Sequence, residues 1–100
     1  MSVIIDIGVR NNPELDEFLY QLDNQGGFND AYVAMSSQQL IAVVVYENDY
    51  KCLVSTETGY DVIDISNLEV IETDDGLVDI TFNVDSDLFN EDRITLALFV

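Results

Sequence analysis

One hundred residues, 48% of them apolar, can bury one core but not a core plus a separate substrate domain, so residues 1–100 are expected to form a single acidic α+β domain. Twenty Asp and Glu stand against Arg10, Lys51 and Arg93, with no His, for a net charge of −17; this excludes direct binding to DNA, RNA or an anionic membrane, which draws on Lys and Arg clusters. Cys52 is alone, which excludes an intrachain disulfide framework, and no apolar stretch approaches the length of a bilayer span.

Ser2–Val9 is a β-branched run that reads as a strand. It lacks the basic flank of a secretion signal and carries Asp6 within its apolar run, so the expected compartment is the cytoplasm, or the host cytoplasm if a phage encodes the chain. After the turn residues Arg10, Asn11 and Asn12 comes a helix start, with Asn12 as N-cap, Pro13 in the first turn and Glu14, Asp16 and Glu17 at the positive end of the dipole. Leu15, Phe18, Leu19 and Leu22 recur at the spacing of one buried helical face, and Gly26-Gly27 ends the helix.

From Asp30 onward the pattern is strand. Segments are expected near Ala31–Met35, Gln39–Tyr46, Tyr50–Ser55, Tyr60–Ile65, Leu68–Glu72, Leu77–Val84 and Ile94–Val100. Glu47-Asn48-Asp49, Glu57-Thr58-Gly59 and Asp74-Asp75-Gly76 are short polar turns that favour antiparallel hairpins. The expected fold is therefore an antiparallel, twisted sheet of about six to eight strands with one amphipathic helix packed on it. Leu40–Val45 and Ile94–Val100 are apolar on both sides and should be covered on two faces. Phe28 and Phe89 lie in polar loop contexts and are expected to be exposed.

The acids are unevenly countered. Cys52–Asp92 holds twelve of them and no basic residue. Val78, Ile80, Phe82 and Val84 alternate with Asp79, Thr81, Asn83 and Asp85, which sends the polar set to one water-facing surface. A charge of −17 exceeds the roughly 2 to 8 charges that keep a small domain in solution, so it asks for a partner or an environment.

Catalytic chemistry finds little footing. Without His the commonest general base and zinc ligand is missing, and Cys52 sits in an apolar strand with no base to activate it, so it reads as a small buried hydrophobe. Gly26-Gly27 has neither the later glycine nor the Lys of a phosphate loop. Asp85-Ser86-Asp87 with Glu91 and Asp92 fails the EF-hand frame, since Phe89, Asn90 and Leu96 fall on ligand, glycine and final-acid positions. A looser calcium site that draws in Asp74 and Asp75 stays open. Enzymatic activity, a cofactor and a metal centre are accordingly not expected.

In size and charge the chain resembles the acidic DNA mimics that phages make against restriction, CRISPR or other host nucleic-acid machinery, although no motif carries the likeness. The resemblance implies a binding inhibitor that blocks the basic DNA- or RNA-binding channel of a nuclease or of a restriction or CRISPR effector. Asp61, Asp64, Glu69, Glu72, Asp74, Asp75 and Asp79 would stand in for phosphates, joined by helix acids if the two sets converge. A homodimer is left open. The alternative is a structural or assembly module whose acids serve halophilic solvation or calcium binding.

Overall fold

The computed structural model describes residues 2–36, 39–73, 75–85, 89 and 91–99. In chain order they form β1 (Ser2–Ile5), a 3-10 turn (Ile7–Val9), α1 (Leu15–Gln25), β2 (Asp30–Ser36), β3 (Gln39–Val45), β4 (Tyr50–Thr56), β5 (Gly59–Glu72), β6 (Leu77–Val84) and β7 (Arg93–Phe99). The strands make one seven-stranded sheet in sequence order. β1 pairs parallel with β2, and every later pair is antiparallel. The sheet is thus mixed, not purely antiparallel as expected. The correction follows from α1, which supplies the crossover that a parallel pair needs.

The first strand is shorter than its β-branched run because Asp6 interrupts it. The Asp6 backbone N–H still donates to the Val33 carbonyl at 2.9 Å, while its carboxylate accepts from the Gly8 N–H at 3.0 Å and caps the 3-10 turn. Asn12 also acts earlier than its N-cap assignment: its side chain accepts from the Glu14 N–H at 2.9 Å within the turn that leads into α1. The helical face is as its spacing predicts, with Leu15, Phe18 and Leu22 buried. Gly26 and Gly27 follow at φ 57° and 68°, a left-handed region that glycine enters without steric cost.

Two apolar clusters divide the interior. Under α1, on the outer side of β2–β3–β4, lie Val9, Leu15, Phe18, Leu22, Phe28, Ala31, Val33, Leu40, Ala42, Val44 and Leu53. On the inner side, Tyr32, Ala34, Ile41, Val43, Cys52 and Val54 meet Ile65, Val78, Ile80, Phe82, Val84, Leu96 and Leu98. Each large side chain so buried contributes about 1.5–3 kcal/mol of transfer free energy. β7 also packs against β1 and β2, so the sheet curls into a nearly barrel-shaped form.

β5 is where the sheet turns. Its first part pairs with β4 and its second with β6, and the register shifts between Ser66 and Glu69, where Asn67 adopts φ 53°. Asn tolerates this conformation better than most residues, and the bulge bends one strand through a corner. The two segments expected at Tyr60–Ile65 and Leu68–Glu72 are therefore one strand.

Leu40–Val44 is covered on both sides as its composition predicts, Leu40, Ala42 and Val44 by α1 and Ile41 and Val43 by the inner cluster. β7 is not. Leu96 and Leu98 are buried while Thr95, Ala97 and Phe99 are exposed, because among the described residues no second layer covers the outer side of this strand. Phe28 is also contrary to expectation, buried beneath α1, and Phe89 is half-buried against the inner cluster. The polar neighbours of both residues conceal contacts made by distant elements. Among the described residues no helix is long and apolar enough to cross a membrane.

Candidate functional site

The alternation along β6 is as predicted, with Val78, Ile80, Phe82 and Val84 inward and Asp79, Thr81 and Asn83 outward. The outward surface is nevertheless not a lattice of carboxylates. Cross-strand partners place Ile71, Asp79 and Ala97 in one row, Glu69, Thr81 and Thr95 in the next, and Asn83 beside Ser66 and Arg93. Arg93 reaches back to Glu69 at 3.6 Å and donates to the Asn83 side-chain oxygen at 2.7 Å, and the Thr81 and Thr95 hydroxyls are hydrogen-bonded at 3.2 Å. This surface is mixed in character and close to neutral.

The residues expected to replace phosphates are spread over the molecule. Asp61 and Glu72 sit near opposite ends of β5, up to about 35 Å apart along the strand at the usual rise, in a molecule 37 Å in its longest dimension. Asp64 stands across from Lys51, which it binds together with Asp49, and hydrogen bonding to Asp64 and then to Asp49 holds the Lys51 ammonium above its usual range. Glu69 is engaged by Arg93. Glu72 lies toward Tyr32, whose phenol is pushed up by burial and then by the charges of Asp30 and Glu72. Asp79 is half-buried between Ile71 and Ala97, Asp75 is exposed in the β5–β6 hairpin, and Asp74 lies outside the described residues.

Carboxylates do converge elsewhere. A groove of about 450 Å³ runs between the start of α1 and the β4–β5 hairpin, lined by Glu14 and Glu17 on one wall and by Glu57 and Thr58 on the other. Phe18, Leu40 and Tyr60 line it too. Ser55 is held in place there, since its Oγ accepts from the Leu40 N–H at 2.8 Å and its carbonyl accepts from the Gln39 side chain at 3.3 Å. Glu14, Glu17 and Glu57 are all exposed, and no basic residue lines the groove. Glu14 and Glu17 are on the same flank because residues three apart in a helical turn are neighbours. That much was readable from spacing. The approach of Glu57 was not, since it depends on the crossover that returns α1 over β3 and β4.

The surface average shows why convergence matters. Spread over 6161 Å², 17 net charges amount to roughly one per 360 Å², against about one per 110 Å² for duplex DNA. Only a local gathering of acids approaches the density of a nucleic acid. A second hollow gathers Asp64, Asp85 and Asp92 around Ser66 and Asn83 at the β5 bend, but Asp64 there is already matched by Lys51.

Metal chemistry gains no support. Among the described residues no group of three or more His, Cys, Asp or Glu side chains could hold an ion, and Ser86, Asp87 and Asp74 of the loose calcium reading lie outside the described residues. Cys52 is buried in the inner cluster, and burial pushes its thiol up to about 12. At neutral pH it stays protonated and shielded. An aromatic disulfide reagent is therefore expected to leave Cys52 unmodified in the native protein and to titrate it fully in denaturant; rapid modification without denaturant would contradict the buried placement.

No family model, curated protein or solved structure matches the chain.

Proposed function

We propose that this chain is a non-enzymatic binding inhibitor of the phage anti-defence type, a DNA mimic whose carboxylates occupy the Lys/Arg-lined nucleic-acid channel of a nuclease or of a restriction or CRISPR effector. The observation that carries this reading is the groove in which Glu14 and Glu17 of the helix face Glu57 of the hairpin with no cation among them. Two of the three basic residues are also bound to carboxylates elsewhere, Lys51 by Asp49 and Asp64 and Arg93 by Glu69, which leaves the helix side of the molecule strongly negative. A guanidinium or ammonium entering the groove meets acids on both walls and the Phe18 and Leu40 side chains, so its ion pairs form partly away from water, where they are stronger than on an open surface.

The docking surface in this reading is the α1 and β4–β5 side, with Asp64 at its margin. Asp61, Glu69, Glu72, Asp74, Asp75 and Asp79 then add to the long-range field that steers a basic target in and do not contact it.

The test is capture from a bacterial lysate at low salt followed by elution in a salt gradient. A sharp elution of one nucleic-acid-binding enzyme, which added DNA displaces, is the expected result, because binding through charge weakens as salt rises. A broad smear of ribosomal and other basic proteins would mean that the charge acts as a generic polyanion, and the proposal would fall.

A further inference from the structure

β1 and β7 are the two ends of the sheet. They pack against each other as the sheet curls, yet among the described residues no ladder of hydrogen bonds joins them. A groove of about 210 Å³ opens at this seam, lined by Val3, Ile4 and Ile5 of β1, by Phe99 of β7 and by Arg10. It shares no residue with the acidic groove beside α1.

Apart from Arg10 the lining is apolar. Val3 and Phe99 are 40% and 45% exposed, so two large hydrophobic side chains stand open to water on its walls. An apolar ligand laid against them removes that surface from water, which is favourable in proportion to the area covered.

Arg10 supplies the charge. Lys51 and Arg93 are each bound to carboxylates, but among the described residues no acid pairs with Arg10, in a chain that has 20 of them. Asp6 and Glu14 are the nearest acids along the sequence. The Asp6 carboxylate is turned to the Gly8 N–H at 3.0 Å, and Glu14 lines the groove beside α1. The Arg10 backbone is fixed at the end of the 3-10 turn, where its N–H donates to the Ile7 carbonyl at 3.5 Å, while the residue itself is exposed. A guanidinium in this position has a planar fork of donors that matches a carboxylate.

We infer that this groove binds a small monocarboxylate with an aliphatic body, its carboxylate on Arg10 and its chain along Val3, Ile5 and Phe99. The groove is smaller than the roughly 300–1,000 Å³ of sites that hold drug-sized molecules, which limits the body to a short chain. A net charge of −17 repels any anion at long range, so contact and not steering holds the ligand; at about 0.15 M salt, charges more than about 8 Å away are largely screened. Because the ligand touches β1 and β7 together, it ties the two ends of the sheet and stabilises the fold.

Titration of isotope-labelled protein with octanoate at about 0.15 M salt, followed by amide chemical shifts, tests this. The expected result is saturable shifts centred on Val3, Ile5, Arg10 and Phe99, with a Kd of about 1 mM, and a melting temperature that rises with added octanoate. Acetate keeps the charge without the chain, and octanol keeps the chain without the charge; each binds at least about tenfold more weakly. Arg10→Gln lowers octanoate affinity about tenfold and leaves octanol binding unchanged, a split that a loosened seam does not produce. Val3→Asn, on an apolar wall, weakens both ligands and serves if Arg10→Gln misfolds by circular dichroism. Shifts that spread over the whole surface or do not saturate overturn the inference. Equal affinity for octanoate and octanol overturns it too, as does a folded Arg10→Gln protein that binds octanoate unchanged.

Discussion

Replacing Glu14, Glu17 and Glu57 together by Gln is expected to weaken binding to the captured basic target by at least about 30-fold, or about 2 kcal/mol, mostly through faster dissociation. Exposed ion pairs on a rim are worth only about 0.2–1 kcal/mol each. The groove differs because acids stand on both its walls, so one incoming cation is met by more than one carboxylate and the substitutions remove them together. All three residues are exposed, so the Gln variant keeps the fold and loses some self-repulsion.

The informative control is Glu69→Gln with Asp79→Asn on the outer side of β5 and β6. It removes two charges where the groove variant removes three, so both variants slow association, the control somewhat less. Only the groove variant should speed dissociation. Binding kinetics on an immobilised target, measured at two salt concentrations, separate the effects. If the Glu69 and Asp79 substitutions change the dissociation rate and the groove substitutions do not, the mimic surface is the outer side of β5–β7 and the assignment to the helix side fails.

What the sequence made legible was local. The spacing of Leu15, Phe18 and Leu22 identified α1 and its buried side, and the alternation of Val78, Ile80, Phe82 and Val84 identified the inward side of β6. Both are decided by near neighbours and a fixed period. Gly26, Gly27 and Gly59 occupy positive-φ positions at predicted turns for the same reason.

The misreadings share a different cause. Ser66-Asn67 reads as a break between two strands, yet Asn67 serves a bulge because β4 and β6 hold the two parts of β5 from opposite sides. Ile94–Val100 reads as doubly covered, but α1 is committed to β2–β4, and among the described residues no layer covers the outer side of β7. Parallel pairing of β1 with β2 follows from the α1 crossover, which composition does not fix. The candidate site depends on topology in the same way. Twelve acids between Cys52 and Asp92 suggested a surface built from that stretch and joined by helix acids if the two sets converge; which acids meet is set by topology, and the groove brings Glu57 to helix acids forty residues upstream.

Phe82→Ala is expected to destabilise the protein by about 3–5 kcal/mol, enough to leave much of it unfolded at low salt. Phe82 has no exposed surface and sits on β6 among Ile80, Val84, Leu96 and Leu98, where the two parts of the curled sheet face each other. Alanine there leaves a cavity that strands held by hydrogen bonds on both edges cannot collapse to fill, so the cost includes lost packing as well as lost transfer free energy. A net charge of −17 works in the same direction, since repulsion among the acids already disfavours the compact state. Urea unfolding followed by circular dichroism should show the midpoint falling with little change in slope, and added monovalent salt should restore part of the loss by screening. A fall of less than about 1 kcal/mol would mean that the inner cluster is not packed as described. Recovery on adding calcium but not an equal ionic strength of sodium would point instead to cation coordination by the acids, reviving the calcium alternative at the expense of the mimic.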